Sequence, residues 1–177
     1  AEYASADKRF TASAGLRADG CDYSGRMARV WRQLSPRASV SYAVGPGWSV
    51  SGSAGLYCQL PPYTALGFKE DDALVNRSLD YMRVGVFSAG VDWRLRDRLI
   101  VSVEGFYKRY GDVPLSVADG IPLSCKGNDY GVVGNEKLVS SAQGRAYGVE
   151  AMARWQIPGR VNVVGSVTVF RSEYRND

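Results

Sequence analysis

Apolar and polar residues alternate with a period of two over long stretches of this chain. In the run 9–19, Phe10, Ala12, Ala14, Leu16 and Ala18 share one face while Arg9, Thr11, Ser13, Arg17 and Asp19 share the other. A β-strand separates residues in this way because successive side chains point to opposite faces of the pleat. The same pattern predicts strands at 37–44, 48–59, 83–95, 99–110, 145–157 and 161–172, seven in all. The last alternates least cleanly, since Val164 and Phe170 fall on its polar face.

Strand length carries more information than strand number. Soluble strands average about 5–6 residues, whereas a strand crossing a bilayer needs about 9–11. All but the second run reach that length. The connectors alternate in size: Gly45-Pro46-Gly47, Arg96-Asp97-Arg98 and Pro158-Gly159-Arg160 are tight turns, and 20–36, 60–82 and 111–144 are long loops. Short turns at one end and long loops at the other are the asymmetry of an outer-membrane barrel.

The positions assigned outward on these runs carry no charge. They include Ala38, Val40, Tyr42; Trp48, Val50, Ala54, Leu56; Phe87, Val91, Trp93; Val101, Val103, Tyr107; Tyr147, Val149, Trp155; and Val163, Val167 and Val169. Lipid demands this, because Arg or Lys at the midplane of a barrel costs about 2–4 kcal/mol. Trp48, Trp93 and Trp155 each lie within a few residues of a different tight turn, which predicts an interfacial belt. Arg94, Glu104, Glu150 and Arg154 lie on the opposite, lumen-facing side. There they contact a plug, line a permeation path or pair across strands. The apolar set is rich in Ala and Gly, which a lipid-facing surface tolerates better than a sandwich core that must be filled. The expected fold is all-β: an antiparallel transmembrane β-barrel segment of about seven long strands, with short periplasmic turns and long extracellular loops. The alternative is a soluble all-β ligand-binding module that recognises its ligand with the same loops.

Composition narrows the function. The 177 residues are 45% hydrophobic and include no histidine, which removes the usual general base and the imidazole metal ligand. No catalytic residue, metal site or cofactor is assigned, and the chain is not expected to be an enzyme. A formal charge of +4 spread without any basic run gives no nucleic-acid stripe. Cys21, Cys58 and Cys125 lack metal-ligand spacing, and Cys21 and Cys125 fall in loops where a disulfide is redox-permitted. In the loops, Tyr63 and Phe68 are candidates for stacking on a ligand or for an outer aromatic girdle. Asp119, Lys126, Asn128 and Tyr130 are candidates for ligand contact or for a solvated shield over the barrel mouth.

Specific words add to the pattern. Ser35-Pro36-Arg37-Ala38-Ser39-Val40-Ser41-Tyr42, then Trp48 to Tyr57 leading to Gln59-Leu60-Pro61-Pro62, resembles the barrel of TonB-dependent outer-membrane receptors. Gly144-Arg145-Ala146-Tyr147-Gly148-Val149-Glu150 and the segments Gly90 to Leu95 and Glu104 to Lys108 are similar to strands of the same barrels. The resemblance spans roughly residues 8–175. It implies residence in the outer-membrane lipid and active uptake of a scarce nutrient: siderophore-iron, cobalamin, an oligosaccharide or a peptide. It also implies two partners in the complete receptor, TonB and an N-terminal plug domain. With seven strands and no recognisable plug, residues 1–177 are expected to be part of a larger barrel.

Overall fold

The structure is a computed structural model that describes residues 1–95, 98–127, 132–157 and 161–175. Its main sheet is antiparallel and follows sequence order. The strands are β1 (Glu2–Ala4), β2 (Phe10–Ala18), β3 (Leu34–Gly45) and β4 (Trp48–Gln59), then β7 (Met82–Leu95), β8 (Leu99–Ser116), β9 (Leu138–Ile157) and β10 (Val161–Arg175). A separate small hairpin, β5 (Lys69–Glu70) with β6 (Ala73–Leu74), and one helical turn, α1 (Tyr63–Leu66), occupy the connection between β4 and β7. The sheet is open, with β1 and β10 at its edges.

All seven expected strands form, with two corrections. The main sheet has an eighth strand, β1, whose three residues are too few to show a period; Ser5 closes its hairpin by accepting from the Phe10 amide at 3.0 Å and donating to Asp7 at 2.6 Å. The expected loop 111–144 shrinks to 117–137, because β8 continues to Ser116 and β9 starts at Leu138. The alternation is lost there because the register shifts twice, between Tyr110 and Val113 and again before Pro114, and Asp112 adopts a φ of 55°. Each bulge flips the side chains that follow to the other face. Pro114 therefore lies within a strand beside a bulge, where its missing N–H does least harm.

The turns reveal the tilt. Trp48, the first residue of β4, lies opposite Trp93, two residues short of the β7 end at Leu95. Leu99, the first residue of β8, lies opposite Trp155, two residues short of the β9 end at Ile157. The sheet thus steps by one residue per strand. With a rise of about 3.3 Å and a strand spacing of about 4.8 Å, that stagger inclines the strands by about 35°, the tilt of membrane barrels. At the first turn Gly47 has a φ of 77°, and a Cβ there would lie 2.2 Å from the Arg94 carbonyl oxygen, so only glycine fits.

Among the described residues, the strand band below the loops holds no buried apolar cluster. Leu16, Phe87, Val149, Val167 and Val169 are all more than half exposed on one face. The buried apolar cluster of the described residues lies instead among the long loops: Met27, Ala65, Leu66, Leu79, Tyr81 and Leu123, with Leu138 from the top of β9.

Candidate functional site

Two zones bear on function: the strand band, and the cap built by the loops above it. Height in the band is counted in residues from the turn end of each strand. Trp48 is at that end, and Trp93 and Trp155 are each two residues above it. Trp48 and Trp93 stack, with ring centroids 5.7 Å apart and planes inclined by 23°. Phe87 and Tyr107 are eight residues up, and Tyr147 is ten. Paired positions Phe87, Tyr107 and Tyr147 form a continuous row across β7, β8 and β9. These three, not Tyr63 and Phe68, are the ring-bearing residues at the upper boundary of the band. From Trp93 to Tyr107 the inclined strands climb about 20 Å, close to the apolar band of about 25 Å in such barrels. Between the two aromatic levels the outward positions are uncharged, as on Val91, Val103, Val149 and Val167.

The opposite face is polar. Ser13 and Ser39 hydrogen-bond at 2.8 Å and Ser53 and Ser88 at 2.9 Å, and with Thr11, Ser41, Ser51 and Glu104 these hydroxyls line a shallow depression. Arg94, Glu104, Glu150 and Arg154 alternate with the outward apolar set on this face. They do not pair across strands as one reading expected: Glu104 lies opposite Glu150, while Arg94 and Arg154 both lie opposite Ile100. The register set by the apolar face puts like charges side by side here, an arrangement that costs stability unless something else meets it. Phe170 lies on the same side and is exposed. It crosses Gly148, where a Cβ would come within 2.6 Å of the Phe170 Cβ.

The cap is tied together by polar contacts from three separate loops. Asn76 is fully buried; its amide nitrogen donates to the carbonyls of Ala65 at 2.7 Å and Glu136 at 2.8 Å, and its oxygen accepts from the Leu138 amide at 2.8 Å. Its hydrogen-bonding capacity is thus spent on three distant backbone groups, making it the hub of the cap. The Tyr23 hydroxyl donates to the Leu66 carbonyl at 2.7 Å, and Thr64 donates to that of Val133 at 2.7 Å. Arg26 pairs with Asp80 at 2.9 Å. Burial pushes the Tyr23 and Tyr81 phenols upward, keeping both neutral.

The candidate ligand residues separate into three groups. Asp119 and Lys126 meet at 2.7 Å, and Lys126 also reaches Glu136 at 2.8 Å, whose carboxylate accepts from the Ser116 hydroxyl. These residues latch the β8–β9 loop and do not form an open charged shield. The hydrogen bond from Lys126 holds the Asp119 carboxyl below its ordinary value. Burial opposes the Lys126 charge, but hydrogen bonds to Asp119 and Glu136 outweigh it and raise its pKa. Tyr63, at the start of α1, is the most exposed large apolar side chain of the cap, and Phe68 is half-buried. Asn128 and Tyr130 lie outside the described residues. Cys21, Cys58 and Cys125 are all free thiols, so the pairing of Cys21 with Cys125 does not occur; Cys21 and Cys58 pack against the cap cluster and Cys125 is exposed.

Sequence reasoning missed Asn76, whose neighbours give no period to read. It also missed Trp31, an exposed indole on a short helical turn, Val30–Arg32, between β2 and β3. Trp31 was the one tryptophan of four outside the strand pattern, and that was the available signal. Among the described residues no group of His, Cys, Asp and Glu is arranged to hold a metal, and no helix is long and apolar enough to cross a membrane.

An antiparallel, barrel-tilted sheet with an apolar outer band, a polar inner face and a loop cap on one side defines a transmembrane β-barrel of the outer-membrane type. The family model "TonB dependent receptor-like, beta-barrel" matches residues 1–177, and the chain belongs to that family. Solved structures agree on the fold. The ferric-catecholate import receptor Fiu from E. coli K12 is 16% identical with a TM-score of 0.64, over 96% of this chain and 26% of that one. The alcaligin outer-membrane receptor FauA from Bordetella pertussis is 18% identical with a TM-score of 0.60, over 98% of this chain and 29% of that one. The FrpB iron transporter from Neisseria meningitidis is 14% identical with a TM-score of 0.59, over 94% of this chain and 24% of that one. The chain thus spans about a quarter of the length of these structures. Among curated proteins, no sequence matches it.

Proposed function

We propose that residues 1–177 form part of the barrel of an outer-membrane importer that captures a scarce nutrient at its loop cap and passes it inward along the polar face. The observation that carries this reading is the division of one sheet into a lipid band and a locked cap. The band, bounded by Trp48, Trp93 and Trp155 below and Phe87, Tyr107 and Tyr147 above, fixes the sheet in a membrane. The cap, held by Asn76, presents Trp31 and Tyr63 to the outside. Exposed aromatic rings on a rigid support suit a flat or ring-bearing ligand, because little conformational entropy is lost on contact.

Siderophore-iron leads the nutrient classes, since Fiu, FauA and FrpB are described as receptors or transporters for ferric catecholates, alcaligin and iron. Cobalamin, an oligosaccharide and a peptide are the other classes. In the complete receptor the serine-rich patch and the facing Glu104 and Glu150 contact a plug domain, and TonB supplies the energy. The soluble-module reading is disfavoured by the exposed outer band, which exceeds what a monomer leaves in water.

The test is uptake by cells with and without the complete receptor. The probes are a radio-iron-loaded catecholate siderophore, radiolabelled cyanocobalamin and a labelled maltooligosaccharide. Receptor-dependent accumulation of one probe, abolished by a proton ionophore, is expected. Accumulation that survives the ionophore would overturn energised import. Trp31→Ala and Tyr63→Ala are each expected to weaken binding of the accumulated probe about tenfold, the loss of roughly 1.4 kcal/mol of contact.

A further inference from the structure

Nutrient import gives the cysteines no task, yet two of the three converge in the cap. Cys21 stands near the start of the β2–β3 connection, and Cys58 is the last residue but one of β4. Both are half-buried, and both pack against the one apolar cluster that contains fully buried Met27 and Leu79. Burial first, and then the charges that Cys21, Asp19 and Cys58 can carry, push the Tyr81 phenol upward, so both sulfurs lie within electrostatic reach of one ring. Cys125 differs from them: it is exposed, at the end of a short helical turn in the β8–β9 loop.

The backbone around each thiol is already fixed. The Cys21 amide donates to the Met27 carbonyl at 3.0 Å, and the Met27 amide donates to the Ser24 hydroxyl at 3.3 Å, which curls the loop over its own start. The Cys58 amide donates to the Ser35 hydroxyl at 3.2 Å, and Pro61 just beyond it is fully buried. Four contacts then bind the loop that carries Cys21 to the chain that follows Cys58. Tyr23 donates to the Leu66 carbonyl at 2.7 Å, Arg77 to the Tyr23 carbonyl at 3.3 Å and Arg83 to the Arg32 carbonyl at 3.3 Å, and Arg26 pairs with Asp80 at 2.9 Å. The entropy of bringing the two segments together is therefore spent without any covalent bond, and thiols held in this way react as if at high concentration. The Cys21 thiol itself makes only a long contact, 4.0 Å to the Asp22 carboxylate, so little is lost when it turns.

We propose that Cys21 and Cys58 are a redox pair whose disulfide locks the β2–β3 loop, with its exposed Trp31, onto the top of β4. Both are thiols in the structure, and the pair closes by exchange with a disulfide oxidant of the cell envelope. One protein thiolate attacks a sulfur of the oxidant, forming a mixed disulfide and expelling the first thiolate. The second protein thiolate attacks the protein-bound sulfur of that mixed disulfide and expels the other. Two protons leave the protein thiols and two electrons pass to the oxidant, which departs as two thiols. The proposal rests on the barrel reading for its compartment, since the outside of the cell is where such a bond persists.

The experiment uses the complete receptor, alkylated with iodoacetamide as the cells are harvested and then mapped by peptide mass spectrometry without reductant. A peptide pair joining Cys21 to Cys58, two hydrogens lighter than its parts, is expected, with Cys125 alkylated. Trypsin provides the second readout, because Arg26, Arg29 and Arg32 all lie in the locked loop. Oxidised glutathione is expected to slow cleavage there about tenfold relative to a phosphine reductant, since the bond removes open states of the loop. The double variant Cys21→Ser/Cys58→Ser should be cleaved at one rate under both conditions, and Cys125→Ser should behave as the parent. Both thiols alkylated after oxidation, a bond from either one to Cys125, or cleavage indifferent to redox state in the parent would overturn the proposal. So would protection from alkylation that a copper chelator removes and the reductant does not, which marks a soft metal held by the two sulfurs. Heat-modifiable migration on gels reports the folded barrel. A linked pair in a parent lacking that migration brings down the barrel reading and upholds the bond, whereas a heat-modifiable parent with both thiols free brings down the bond alone.

Discussion

The strand band and the loop cap are built from the same residue types and bury them in opposite senses. In the cap, Met27, Leu79 and Leu138 are withdrawn from solvent and the polar groups around them are matched one by one. In the band, Leu56, Phe87 and Val169 point outward while serines pair on the other side. Each region follows the hydrophobic effect, but the solvent differs: water surrounds the cap, and hydrocarbon surrounds the outer face of the band. Backbone hydrogen bonding holds the band, because every strand between the two edges is paired on both sides and an unpaired amide in lipid costs several kcal/mol. The cap, by contrast, needs a packed core and a buried asparagine.

The contrast is most exposed to failure at two leucines. In the complete receptor, Leu79→Ala should destabilise the cap by about 2–5 kcal/mol through a cavity, read as faster hydrogen exchange in the loops. Leu56→Ala should cost about 0.5 kcal/mol, because lipid fills the vacated space. Equal effects would mean the two regions bury leucine alike. Next in size is Val103→Arg, which places a charge near mid-band and should cost about 2–4 kcal/mol, seen as loss of assembled barrel. The adjacent Ser102→Arg, on the polar face, should assemble normally. Identical assembly defects would mean the two faces are assigned wrongly.

Asn76→Ala should cost the cap about 1–3 kcal/mol by orphaning the Leu138 amide and two carbonyls, leaving the band unchanged. Loop-specific proteolysis with an intact heat-modifiable barrel would bear this out. The smallest effect concerns pH. The Asp119 carboxyl is held below its ordinary value of 3.8, so its contribution is present above that value and fades as pH falls through the lowered one. Lys126 is raised above 10.5, so its contribution is present below that value and fades as pH rises through the raised one. The β8–β9 loop should thus be best protected between these limits, and a protection profile rising below pH 3 would contradict the latch.

The strands were legible because the period is two and lipid forbids exceptions to it: one charge on the outer face within the band is expensive, so the pattern is clean between the tryptophans near the turns and the row of Phe87, Tyr107 and Tyr147. It failed where a strand leaves the membrane. Beyond Tyr110 two bulges shift the phase, and the continuation of β8 to Ser116 could not be read from alternation. The tryptophan belt was legible from its distance to the turns. The upper row was not, because Phe87, Tyr107 and Tyr147 fall at equal height only once the stagger between strands is known.

Sequence alone determined the class of element, the face each strand residue takes and which end carries the loops, since those depend on neighbours two residues away. Tertiary structure decided what depends on partners far along the chain. It turned Asp119 and Lys126 from a candidate ligand pair into a latch, made Asn76 a hub through groups 11, 60 and 62 residues away, and set Glu104 beside Glu150. It also gathered arginines from four strands onto one outward patch. Their spacing within each strand is unremarked by any local rule, because register between strands, and not order within them, brings Arg109 against Arg145.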